Sequence, residues 1–231
     1  MYRKGTYRQT DSMSELITGS YRVLLVMSRF GIGLGVGNKS IGEVCEENGV
    51  DTGTFLAIAN MLLAGDGEPA DPSGVSVESL IVYLHNSHNY FLDFRLPKIR
   101  EDLVKALPQP HNDLTKAIIG YFDKYVAEVN RHMKYEERMV FPYVRELLAG
   151  NRPDDYSIEV FSKRHDQVES KLTEFKEILI KYYPAKSTNE INGVLFDIFN
   201  CEHDLASHNE VEDYLFVPAI IELERKTGTK R

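Results

Sequence analysis

Two stretches of this chain, HMKYEERMVFP at 132–142 and HNEVEDYLFVP at 208–218, repeat one pattern, H-x3-E-x5-P, and no other feature restricts the fold as strongly. A histidine and a glutamate four residues apart stand on one face of a helix, one turn apart in height. His132 with Glu136, and His208 with Glu212, are therefore two copies of the same polar pair, each on its own helix. Burying such pairs is costly unless something satisfies them. The repetition thus asks for helices that turn these groups toward a shared interior.

The surrounding sequence supplies them. From residue 76 onward apolar residues recur at intervals of three and four, and strand-like alternation is absent, which predicts helices near 76–107, 113–149, 155–183 and 188–226. The breaks LPQPHND, AGNRPDD and YYPAKSTN are short, so successive helices should be antiparallel. Pro97, Pro142 and Pro218 fall inside these spans and should kink or end them locally. Ahead of the bundle, GDGEPADPSG at 65–74 interrupts any helical period. The expected fold class is all-α: a small helical domain over 1–70, then an up-down-up-down four-helix bundle over 76–231. In the first domain the candidates are 12–29, 40–48 and 51–64, with Ser40 and Asp51 as caps, Gly49 as a stop, and Ile41, Val44, Phe55, Leu56, Ile58, Leu62 and Leu63 as core.

All seven histidines lie in the bundle region. Residues equally far from the turn of an antiparallel pair face each other. His88 and His132 are equidistant from the first loop, Glu136 and His165 nearly so from the second, and His165 and His208 nearly so from the third. His88, His132, Glu136, His165, His208 and Glu212 should therefore share one layer. Imidazoles and carboxylates converging there call for a pair of metal ions, and nitrogen and oxygen donors suit iron or manganese, with zinc admissible. Six protein ligands leave room for water, an oxo or hydroxo bridge, or a diatomic gas. His85, one turn before His88, competes with it for the first-helix position. His111 in the first loop and His203, well around the helix from His208, should be surface residues or lie outside the ligand set. Tyr90, Tyr135 and Tyr214 flank the ligands and are read as packing.

Charge narrows the alternatives. Acidic residues number 35 against 27 lysines and arginines, a net charge of −8, which argues against general nucleic-acid binding. SIGEVCEENGVDTGTFLAIAN has a helix-glycine-helix rhythm, but its would-be recognition helix 51–64 holds no lysine or arginine, so a DNA-binding regulator is the weakest reading. GIGLGVGN at 31–38 does not give G-x-G-x-x-G. No apolar run approaches the ~20 residues that span a bilayer. Cys45 and Cys201 cannot form a disulfide framework. These features predict a cytoplasmic protein with no membrane partner.

The paired H-x3-E-x5-P stretches, with His165 in KRHDQVE, resemble the hemerythrin-like (HHE cation-binding) domain over 76–226. SRFGIGLGVGNKSIGEVCEENGVD resembles the amino-terminal domain of the iron–sulfur cluster repair di-iron proteins, also called RIC, regulator of cell morphogenesis and NO signalling. Two departures stand out. Where that family has a Cys-Cys pair, this chain has Gly35 and Val36; where it has His-His before Leu-Pro, this chain has His88 and Asn89 before Leu96 and Pro97. The resemblance implies a non-haem di-iron protein that restores iron–sulfur clusters damaged by nitric oxide or oxidants, not a conventional turnover enzyme, with damaged iron–sulfur proteins as clients. An oxygen or nitric oxide sensor or carrier is the alternative. A homodimer is left open.

Overall fold

The computed structural model describes residues 6–64, 74–108, 110, 112–151, 153, 156–161, 166–184 and 189–228. Among them helix is the only regular secondary structure, and the one β-bridge, Ser12 with Ser40, belongs to no strand. The elements are α1 Met13–Gly19, α2 Val23–Arg29, α3 Ile41–Glu47, α4 Thr52–Ala64, α5 Val77–Asn89, α6 Leu96–Ala106, α7 Asp113–Tyr135, α8 Phe141–Leu148, α9 Asp166–Tyr182, α10 Asn189–Val211 and α11 Val217–Gly228. Short π-helical turns, Tyr90–Arg95, Glu136–Val140 and Glu212–Phe216, join α5 to α6, α7 to α8 and α10 to α11.

The chain forms two compact units. One comprises Met1–Ser87, Leu147–Arg152 and Glu210–Arg231. In it α3 opens on a capping box, with the Ser40 hydroxyl accepting from the Glu43 N–H and the Glu43 carboxylate accepting from the Ser40 N–H. Asp51 Oδ1 accepts from the Thr54 N–H at 2.7 Å, and Gly49, at φ +65°, ends α3. Ile41, Val44, Phe55, Ile58 and Leu62 are buried as expected, while Leu56 and Leu63 are half-buried. The span 12–29 is not one helix: it breaks between Gly19 and Arg22, where Ser20 takes an extended conformation at φ −154° and caps α1. The expected linker falls at 65–73, outside the described residues.

The other unit comprises His88–Glu146 and Pro153–Asn209. Its core runs through Phe91, Ile99, Leu103, Phe122, Val129, Phe175, Val194, Ile198 and Leu205. Tyr121 donates to Glu174 and Lys171 to Glu128, so residues ascending α7 meet residues descending α9 and the two helices are antiparallel. Arg100 with Asp123 ties α6 to α7, and Arg95 with Asp197 ties the first π turn to α10.

Near each proline the α-helix is interrupted locally, as expected, by a π turn and then restarts. Pro97, Pro142 and Pro218 each follow a π turn by two residues. A mid-helix proline lacks an N–H and clashes with the carbonyl four residues back. Here the N–H groups of Leu96, Phe141 and Val217 reach five residues back, to the carbonyls of Phe91, Glu136 and Glu212. The extra residue restarts the helix with proline in its first turn, where no N–H is needed. Glu136 and Glu212 are thus the first residues of two of these turns.

Candidate metal centre

Glu136 and Glu212 are completely buried, as is His208, and His88 is 2% exposed. One ligand atom from each of these four residues lies within 4.8 Å of the others. Glu212 follows His208 by one turn along the same helix, as the repeated motif requires. His88 Nε2 stands 2.8 Å from one oxygen of Glu136, and His132 Nε2 2.9 Å from the other. Glu136 therefore lies between two imidazoles. Burial alone would push its carboxyl up, but the hydrogen bonds and charges of His132 and His88 hold it well below the ordinary carboxylate value.

Aromatic rings wall the histidines. The His88 ring stacks on Phe141 with centroids 5.6 Å apart and 4° between planes, and His132 stacks on Phe161. His208 meets His88 and Phe91 edge-on at 5.2 and 5.9 Å. On the α7 side, Tyr125, Val129, His132, Met133, Leu172, Glu202, Leu205 and Asn209 line a small cavity of about 10 Å³, at the lower limit of what holds one water.

Of the sequence candidates, His88, His132, Glu136, His208 and Glu212 are brought to this place. His85 is exposed, so of the two α5 histidines it is His88 that turns inward. His165 and His111 lie outside the described residues, and His203 is exposed. Tyr135 and Tyr156 join hydroxyls at 3.1 Å, Tyr90 packs on Phe91 and Phe94, and Tyr214 is exposed. Glu137 was not anticipated: its Oε1 lies 2.7 Å from His88 Nδ1. The signal available in the sequence was the acidic residue after each motif glutamate, Glu137 and Asp213.

The family model of the hemerythrin HHE cation-binding domain matches residues 79–220. The chain belongs to the hemerythrin HHE cation-binding family. None of the curated proteins matches it. The donor set fits the metal cations that give the HHE domain its name: buried carboxylates and imidazoles, expensive to desolvate alone, become favourable once a cation sits among them. His88, Glu136, His208 and Glu212 would hold it, with His132 beside them. Among the described residues, no helix is long and apolar enough to cross a membrane.

Proposed function

We propose that this hemerythrin-family chain carries a non-haem di-iron centre and serves to restore iron–sulfur clusters damaged by nitric oxide or oxidants. The observation that carries the reading is the buried convergence of His88, from α5, with Glu136, His208 and Glu212 of the two H-x3-E-x5-P stretches. Two buried carboxylates with imidazoles make a donor set that would suit iron, and His132 would add to it; His165, the remaining sequence candidate, lies outside the described residues. When bound, iron would supply an open coordination position for a diatomic gas and a reversible change of oxidation state.

The chain's own residues prepare that position. Glu136, set between His88 and His132, presents one oxygen to each side of the site. Phe91, Phe141 and Phe161 line the histidines with apolar surface. The repair role draws on the resemblance of the segment around 28–51 to the cluster-repair proteins. Its loop carries Gly35 and Val36 where theirs carry the Cys-Cys pair, so no thiol pair acts there. Iron supply or gas handling would fall to the bundle alone.

A second reading, a sensor or carrier of oxygen or nitric oxide, is favoured by the small cavity that His132 lines. Iron analysis with an optical spectrum of anaerobically purified protein tests the centre, and two irons per chain are expected. Incubation with a nitric oxide-damaged [4Fe–4S] protein then separates the readings. Repair predicts recovery of cluster absorbance with the iron-loaded chain and none with Glu136→Ala. A carrier predicts a reversible gas spectrum without recovery.

A further inference from the structure

We propose that Glu137 is the positioning residue for His88: its carboxylate accepts a hydrogen bond from Nδ1–H, so that Nε2 is the nitrogen offered to the metal. The proposal rests on the reading of the buried cluster as a metal centre. His88 Nδ1 lies 2.7 Å from Glu137 Oε1, while His88 Nε2 lies 2.8 Å from Glu136 Oε2. Two consecutive carboxylates thus address the two nitrogens of one ring. In an α-helix adjacent side chains diverge by about 100°. These two residues open the π turn Glu136–Val140, where more residues complete each turn and neighbours diverge less.

Stacking of the ring on Phe141 fixes its plane but not which edge faces inward. A half-turn about Cβ–Cγ would keep the stack and bring carbon atoms to both carboxylates. The bond to Glu137 opposes that flip and sets the tautomer, as carboxylates behind metal-bound histidines do. Glu137 is 30% exposed, so its charge keeps contact with water while Glu136 is fully buried. The pattern recurs in sequence, with Asp213 after Glu212 opening the Glu212–Phe216 turn.

Zinc, which is diamagnetic, serves as probe for the full chain, with affinity read by competition against a chelator. Glu137→Ala and the shorter Glu137→Asp should weaken binding by about 10- to 100-fold. Glu137→Gln, which keeps an oxygen acceptor for Nδ1–H, should recover most of the loss. Long-range proton–nitrogen NMR of the zinc-loaded wild type and Glu137→Gln should show the His88 proton on Nδ1. Wild-type affinity in Glu137→Asp, failure of Glu137→Gln to recover, or metal on Nδ1 would overturn the proposal while leaving the centre intact. A wild-type chain that binds no zinc, iron or manganese would overturn the metal reading itself.

Discussion

At the scale of single residues, Glu136 sets the terms for the site. A completely buried carboxylate flanked by His88 and His132 is tolerable only as part of a charged set, and removing it takes the facing carboxylate away from the Nε2 atoms of both imidazoles. Glu136→Ala should therefore lose metal, and with it the stabilisation that metal confers, about 2.7 kcal/mol at a free concentration 100-fold above Kd. Metal content and thermal melts with and without added iron measure this. His203→Ala, at an exposed position, should change neither. Cys45 gives a second prediction. Burial pushes its thiol up to about 11, against a hydrogen bond with Thr52 that lowers it. At pH 8 the native thiol stays protonated and should resist alkylation that the unfolded chain undergoes readily. The unfolded thiol ionises near 8.5, so this group subtracts stability as pH rises from there toward 11. Fast labelling of the native chain at Cys45 would count against the buried placement.

At the scale of elements, the π turns explain how three helices carry interior prolines. Deleting Met139, which is exposed, should convert the Glu136–Val140 turn to α-helix and drive Pro142 against the carbonyl four residues before it. That should cost about 3 kcal/mol, and combining the deletion with Pro142→Ala should recover most of it. Denaturant melts of the single and double variants decide the matter. A smaller test concerns α3. The Ser40 backbone N–H, then its hydroxyl, donate to Glu43 and lower its carboxyl, so the box stabilises above the unfolded pKa near 4.3 and fades as pH falls through the lower folded value. Glu43→Gln should destabilise at pH 7 and progressively less as pH falls below the unfolded value. These elements also show what a sequence discloses. Helix spans, the Ser40 and Asp51 caps and the Gly49 stop are local, and so are the motif pairs. The π turns are not, since hydrophobic period over five residues does not distinguish one extra residue, although a proline six residues after each motif glutamate marks them. Nor is the choice of His88 over His85, about 60° apart on one helix, which packing around α5 makes. Glu137 stayed hidden because its partner lies on another helix.

At the scale of the whole molecule, the amino-terminal helices share a compact unit with most of α5, the helix that carries His88. The buried Arg29 donates from Nη1 to the Tyr83 hydroxyl at 2.9 Å and lies over the Tyr83 ring, while Asn86 donates to the Arg29 carbonyl at 2.7 Å. Ser76 donates its N–H to Thr54 Oγ1 at 2.8 Å, and Phe30 packs on Tyr83. Tyr83 is fully buried, so its hydroxyl would lose a partner without being released to water if Arg29 alone were removed. Arg29→Leu should cost about 1–3 kcal/mol on that ground. Removing residues 1–64 altogether should do more, because Ser76, Tyr83 and Asn86 would together lose Thr54, Arg29 and Phe30. The truncated chain should melt well below the full chain and bind metal more weakly, since α5 loses support little more than one turn before His88. Equal melting temperatures and equal metal content in the two forms would show that the amino-terminal helices are a separable domain, and that α5 holds His88 in place without them.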